Sequence, residues 1–180
     1  MRLVPVDAKR QDWPRLVAQA VNRSANAVGA LTGWSNNAHG GTDLTVPAST
    51  PTDYVVDGAV EIVTQKPADV PDFWADNKIT GRNGDAIIVK VQFDCIPDDA
   101  VATNINIQVN IGGAVGVVEE HDFPLVRGAL VSHPITFTFL AYTLNTWEAN
   151  GGRIVLTADG DVTIPAANRR ILIARAHKAR

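Results

Sequence analysis

The chain has 180 residues, of which 46% are hydrophobic and 19% charged, so it can bury the core of one domain and is not globally disordered. Its single cysteine, Cys95, excludes an intramolecular disulfide. No apolar run approaches the ~18 residues of a membrane helix, and the opening residues lack the apolar run of a signal peptide. We therefore expect a protein that has no membrane partner and is made in a cytoplasm.

The net charge of −3 is unevenly distributed along the chain. Residues 1–30 hold five basic residues (Lys or Arg) and two acidic ones. Residues 31–160 hold six basic and sixteen acidic residues, and residues 161–180 hold five basic residues and one acidic residue. Basic ends can attract nucleic acid or an acidic protein surface. No aromatic residues alternate with the basic ones, as binding to single strands requires, so nucleic acid is not an expected partner.

Residues 11–30 predict a helix, with Asp12 as its cap and Pro14 in its first turn. One stripe recurs at steps of three and four residues: Trp13, Val17, Ala20, Ser24, Ala27 and Leu31. The helix either packs on its own domain or forms an arm that docks on a partner, and the pattern favours neither. The candidate docking residues of such an arm are Arg10, Trp13, Arg15, Val17 and Val21.

Residues 32–53 are rich in Gly, Asn, Ser, Thr and Pro, which predicts a linker or a long loop. This composition divides the chain into an arm, residues 1–50, and a β domain, residues 54–180. A chain that begins near Tyr54 is therefore expected to fold by itself.

Eight segments predict strands from residue 54 onward, and Asn104–Ile111 alternates most regularly between apolar and polar residues. The eight candidates are Tyr54–Thr64, Ala86–Cys95, Asn104–Ile111, Val115–Glu120, Ile135–Thr143, Arg153–Ala158, Val162–Ile164 and Arg170–His177. Asp159-Gly160 predicts a hairpin turn. No helical pattern separates the strands, so we expect a mostly β fold, an antiparallel two-sheet jelly-roll sandwich with a short N-terminal helix and an extended arm.

No catalytic arrangement emerges from the sequence, and neither an enzyme nor a cofactor is expected. No serine lies in a Gly-x-Ser-x-Gly turn, and Cys95 has an acidic rather than a basic neighbourhood, which favours packing over reactivity. The densest group of metal-ligand residue types is Glu119–Asp122. On a strand, only alternate members of this group could converge on one ion, so no metal site is predicted there, although an ion is not excluded.

Two features suggest contact with a second chain. Glycines interrupt strand-like sequence at Gly112 and Gly113, as happens at bulges or where another backbone approaches closely. The segment Ile135–Tyr142 carries apolar residues on both faces and needs cover on both, either from a second subunit or from the N-terminal segment. The candidate interface residues are Phe137, Phe139, Leu140, Tyr142, Gly112 and Gly113. Closed cyclic symmetry would bury them in a homotrimer.

Four segments of the second half of the chain carry a resemblance: Ser132–Phe139, Asn150–Thr157, Asp161–Ile164 and Ile171–Arg175. They resemble the tumour-necrosis-factor-like jelly-roll modules of tailed-bacteriophage virion proteins. In those modules, a strand of the form PF-x-F-x-F, an Asn-Gly-Gly turn and a closing strand with a late arginine come in this order. The stretches Asp12–Arg15 and Ala20–Asn22 are similar to the openings of small phage structural proteins. Pro165–Asn168 departs from the pattern, which has a Tyr-Asp step there.

The resemblance implies a homotrimer located in the virion, with itself and the major capsid protein or another virion protein as partners. It implies a capsid decoration (cement) protein or a head fibre. A tail-fibre or receptor- or glycan-binding module is the alternative, in which Trp34, Trp74 or Trp147 would stack on sugars. An unrelated oligomeric binding module or enzyme is the third class of function.

Overall fold

The computed structural model describes residues 33–38, 41–56, 61–66, 72–98, 101–126 and 130–177. The described part is mostly β and forms an antiparallel sandwich, which confirms the predicted fold class. The predicted helix at 11–30 and all five docking residues of the arm lie outside the described residues. In the described part of the chain, no helix is long and apolar enough to cross a membrane.

Thirteen strands, one short α-helix and one 3-10 helix occur in the described ranges. The strands are β1 (Gly33–Ala38), β2 (Leu44–Val46), β3 (Thr52–Asp53), β4 (Glu61–Gln65), β5 (Trp74–Ala75), β6 (Lys78–Ile79), β7 (Ala86–Pro97), β8 (Asn104–Asn110), β9 (Val117–Pro124), β10 (His133–Tyr142), β11 (Arg153–Ala158), β12 (Val162–Ile164) and β13 (Arg170–His177). The α-helix, α1, is Asn145–Asn150, and the 3-10 helix is Ala166–Asn168.

Two antiparallel sheets form the sandwich, and the long strand β7 organises the larger one. One edge of β7 pairs with β10, and the other edge pairs first with β13 and then with β12. Beyond these neighbours, β1 and β4 follow β13, and β2 follows β12. We call this seven-stranded sheet the main sheet. The second sheet has the order β3-β11-β8-β9, and β5 and β6 form a separate hairpin.

Alternation along the strands places the core between the two sheets. On β8, Ile105, Ile107 and Val109 are fully buried, whereas the amide side chains between them face outward and are only partly buried. On β10, Ile135, Phe137 and Phe139 are buried in the same way. Each such side chain contributes about 1.5–3 kcal/mol by leaving water, which makes the register of these strands well determined.

The predicted linker over residues 32–53 is wrong for the described residues, because β1, β2 and β3 lie within it. β1 pairs with β13 on one edge and with β4 on the other. Its inward residues include Ser35 and Asn37, which are buried but polar, so no apolar alternation marks this strand in the sequence. The sandwich thus includes residues on both sides of the predicted boundary at 50–54.

The predicted strand Tyr54–Thr64 is correct only in its second half, where β4 occurs. Tyr54–Val56 is not a strand, and residues 57–60 lie outside the described ranges. Tyr54 is instead a buried link between β7 and β13. Its hydroxyl donates to the carbonyl of Gln92 at 3.0 Å and accepts from the backbone N–H of Arg170 at 3.0 Å.

The predicted hairpin at Asp159-Gly160 is also wrong, because β11 and β12 belong to different sheets. Asp159 accepts hydrogen bonds from the backbone N–H groups of Thr103 and Asn104, at 2.7 and 3.0 Å. Burial opposes ionisation of Asp159, but a hydrogen bond from the Thr103 hydroxyl and the bonds from backbone N–H groups together outweigh it and lower the pKa of Asp159. A Cβ at Gly160 would lie 2.6 Å from the backbone nitrogen of Ala102, so glycine lets the chain cross closely from one sheet to the other.

The short helix α1 has no counterpart among the predicted elements. It buries Trp147, whose Nε1 donates to the carbonyl of Ile79 at 3.0 Å. A Cβ atom added to Gly152 would lie 2.6 Å from the Trp147 ring. The second glycine of the Asn-Gly-Gly segment therefore makes room for this tryptophan.

Candidate self-association surface

Four apolar residues line up across the outer face of the main sheet. Leu140 on β10 lies opposite Ile88 on β7, Ile88 opposite Ala174 on β13, and Ala174 opposite Trp34 on β1. Directly opposite residues of antiparallel strands share a face, so the four form one continuous line, which we call the apolar row. Leu140 is 55% exposed, Ile88 41% and Trp34 36%.

The apolar row continues around the edge of the main sheet at β10. Tyr142 and Leu144 are 68% and 63% exposed. Together with Leu140 and Val118, they line a largely apolar cavity of about 330 Å³ between β9 and β10. The exposed apolar surface therefore turns a corner, from a sheet face to the side of the sandwich.

Both strands at that corner are edge strands, since among the described strands β9 pairs only with β8 and β10 only with β7. We call the gap between them the open side. Three aromatic rings close its interior: His121 and Phe123 have ring centroids 4.6 Å apart, and the Phe123 ring meets Phe137 edge-on at 6.4 Å. Nearly the whole of β9 is exposed.

The inward face of β9 carries Glu119 and His121 as well as Phe123, as the pairing with β8 shows. Inward-pointing charged residues on an edge strand discourage the addition of a further strand by backbone pairing. The open side is therefore suited to side-chain packing against a partner rather than to extension of the sheet.

The structure separates the six candidate interface residues into three pairs. Leu140 and Tyr142 lie on the exposed outer face, next to Ile88 and the open side. Phe137 and Phe139 are only 4% and 6% exposed and belong to the core of their own chain, which corrects their placement at an interface. The period of two along β10 explains this division, because odd-numbered residues point inward and even-numbered ones outward.

The third pair, Gly112 and Gly113, lies in the turn between β8 and β9 and not beside the apolar row. Their φ angles of +70° and +62° favour glycine, as does the +66° of Gly116. The Gly116 N–H donates to the carbonyl of Gly112 at 3.1 Å and closes the turn. No atom lies within 4 Å of a Cβ built on Gly116, so backbone conformation rather than a close approach explains that glycine.

Three members of the apolar row, Ile88, Ala174 and Trp34, were not predicted as interface residues. Ile88 shares its face with Lys90, Gln92 and Asp94, and a single apolar residue on a polar face carries little signal. Trp34 falls in the stretch interpreted as a linker. Recognition of β1 as a strand would have shown that Trp34 lies on the face opposite Ser35, but the polar inward residues of β1 hide that strand.

Cys95, the single cysteine of the chain, is not suited to act as a nucleophile. Cys95 is buried, and burial together with the nearby charge of Asp98 raises its pKa to about 12. A thiol with this pKa is protonated at neutral pH and is a poor nucleophile. Among the described residues, no three His, Cys, Asp or Glu side chains are grouped closely enough to hold a metal ion.

The segment Glu119–Asp122 is divided between two faces. Glu120 and Asp122 point outward, where Asn106 donates to both carboxylates at 2.9 Å. Hydrogen bonds from Asn106 and then Asn104 lower the pKa of Asp122. Because Glu119 and His121 point to the other face, the segment does not converge on one ion.

No protein-family model and no curated protein matches this sequence. Among solved structures, the chain is similar to the Eiger TNF of S. frugiperda, with 10% identity, a TM-score of 0.51, and coverage of 83% of this chain and 96% of that one. The vertex protein P5 of PRD1 has 14% identity and a TM-score of 0.45, over 82% of this chain and 73% of that one. A chain in the cryo-EM structure of Broad Bean Stain Virus has 10% identity and a TM-score of 0.25, over 83% of this chain and 85% of that one.

At 10% identity, the likeness to the Eiger TNF establishes the fold alone, a TNF-like jelly roll. The two likenesses with TM-scores below 0.5 carry no argument about function.

Proposed function

We propose that this protein is a structural component of a tailed-phage virion, a capsid decoration or head-fibre protein that binds the shell and stabilises it as a homotrimer. The observation that carries the proposal is the apolar row with its continuation at Tyr142 and Leu144. Soluble monomers rarely expose a contiguous apolar surface of this kind unless it serves an interaction. The resemblance of the C-terminal half to phage virion modules supports the choice of virion over other assemblies.

The proposed contact joins the open side of one protomer to the apolar row of the next. These are two different surfaces, so the contact is heterologous, and it closes into a ring when the rotation between protomers is a third of a turn. Leu140 and Tyr142 lie where the two surfaces meet and would contribute to both. Ile88 and Trp34 would leave water on the row of the neighbouring protomer, at about 1.5–3 kcal/mol for each fully buried large side chain.

The basic N-terminal segment is the proposed shell-docking arm. Arg10 and Arg15 would attract an acidic shell surface, while Trp13, Val17 and Val21 would supply apolar contact. Attraction between exposed charges weakens as salt screens them, so the attachment should be salt-sensitive. These residues lie outside the described ranges, and the assignment rests on the sequence.

The test of this function is the heat stability of particles with and without the protein. A trimer that bridges shell subunits stabilises the assembled state by about 2.7 kcal/mol per site when its free concentration is a hundred times its dissociation constant. Particles from a deletion strain should therefore release their genome at a lower temperature, and added purified protein should restore the temperature. Unchanged particle stability together with lost adsorption to cells would instead identify a receptor-binding fibre.

A further inference from the structure

A second cleft, of about 370 Å³, opens on the outer side of the smaller sheet. It lies between β6, the β8–β9 turn, and the segment that joins α1 to β11. Its lining includes two cations, Lys78 and Arg153, and two amides, Asn110 and Asn150. None of these residues belongs to the apolar row or to the open side.

The two cations face each other across neighbouring strands. Ile79 and Gly152 exchange backbone hydrogen bonds, each of 2.8 Å, as an antiparallel pair. This register places Lys78 opposite Arg153 on the outer face, since Ile79 and Gly152 are both buried on the inner one. Like charges directly opposite each other are destabilising, so an anion bound between them would offset their repulsion.

Little negative charge is available to this pair in the described part of the chain. Arg153 contacts Asp53 at 3.2 Å, with both side chains about half exposed. Lys78 has no acidic partner among the described residues. Within the described residues, Asp53 thus pairs with one of the two cations and leaves Lys78 without a carboxylate.

The walls of the cleft position these groups. A Cβ on Gly151 would lie 3.0 Å from the Cβ and 3.2 Å from the Cδ of Lys78, so the aliphatic stem of the lysine runs along this glycine. Asn110 accepts from the Gly112 N–H at 2.8 Å, which leaves its Nδ2 as a donor. Asn150 donates to the carbonyl of Ile111 at 3.0 Å, which leaves its Oδ1 as an acceptor.

We propose that this cleft binds a sugar unit that carries a carboxylate. Lys78 and Arg153 bind the carboxylate, and the remaining donor of Asn110 and acceptor of Asn150 bind hydroxyl groups. A sugar that carries a carboxylate offers the two cations an anion and offers the two amides separate hydroxyl groups, each of which both donates and accepts. Phosphate would have to reach all four side chains with the oxygens of one small tetrahedron. The volume falls within the range of about 300–1,000 Å³ that is usual for small-molecule sites. This proposal is independent of the shell-binding function.

The test uses the full chain and three probes, galacturonic acid, galactose and inorganic phosphate, with binding followed by amide shifts in NMR spectra. We expect galacturonic acid to bind at least about tenfold more tightly than either of the others. Lys78→Met should weaken this binding about tenfold by removing a charged hydrogen bond. Asp53→Asn should strengthen it, because Arg153 then loses its competing carboxylate. Lys90→Met, which removes a lysine from the main sheet, is the matched control and should leave the affinity unchanged.

The opposite signs at Lys78 and Asp53 separate binding from damage to the fold, since a misfolded variant loses affinity in both cases. Equal affinity for galacturonic acid and phosphate would overturn the proposal by indicating a site for any anion. So would equal affinity for galactose, no binding at about 10 mM probe, or weakened binding in Asp53→Asn.

Discussion

At the scale of single residues, the buried ion pair between Arg175 and Asp85 is the most demanding interaction in the fold. Its Nη1–Oδ2 distance is 3.8 Å, and both side chains are at most 3% exposed. The guanidinium also lies 5.8 Å from the centre of the Phe73 ring. Arg175 is the late arginine of the closing strand, and the pair ties that strand to the turn before β7.

Asp85→Asn should therefore lower the free energy of unfolding by about 3–5 kcal/mol, because it removes the carboxylate that faces a buried guanidinium. Asp53→Asn removes the exposed pair with Arg153 and should cost at most about 1 kcal/mol. Denaturant unfolding of the two variants provides the comparison. Equal costs would mean that the buried pair contributes no more than the surface pair.

At the scale of elements, β1 determines where the folded unit begins. It lies between β13 and β4, so its removal exposes an edge of β13 in the centre of the main sheet. A chain that begins at Tyr54 lacks β1 and also lacks β2 and β3, which pair with β12 and β11 respectively. An exposed central edge invites aggregation through unpaired backbone groups.

A chain that begins at Tyr54 should consequently aggregate or melt at a much lower temperature than one that begins at Leu31. This reverses the expectation from composition, which placed the boundary at residues 50–54. Thermal melts followed by circular dichroism, with solubility as a second readout, distinguish the two truncations. A soluble, cooperatively melting chain from Tyr54 would show that β1 is dispensable.

At the scale of the whole molecule, the apolar row predicts a specific change of oligomeric state. Leu140→Asp places a charge in the proposed contact, so the assembly should dissociate to the 19.2 kDa chain while the wild type has three times that mass. Val126→Asp, at another exposed apolar residue, is the control and should remain trimeric. Light scattering at micromolar concentration measures both. A monomeric wild-type protein would contradict the trimer.

The sequence by itself determined much of the second half of the chain. Strands β7 to β13 all overlap predicted segments, because alternating apolar residues can be buried on only one face of a strand. The overlap is poorest at β9, which continues to Pro124 although the predicted segment ends at Glu120. The regular pattern of β8 identified its core face without error. The glycines of the β8–β9 turn were recognised as unusual, and their positive φ angles account for them within the chain itself.

Tertiary structure alone decided the rest, because strand partners are chosen by contacts between residues that are distant in sequence. Only the fold shows that Asp159-Gly160 joins two sheets, that Phe137 faces inward and Leu140 outward, and that Ile88, Ala174 and Trp34 continue the row from Leu140. The same holds for Lys78 and Arg153, which a single antiparallel bridge brings together. Local pattern specifies which face of a strand is apolar, and packing decides what that face meets.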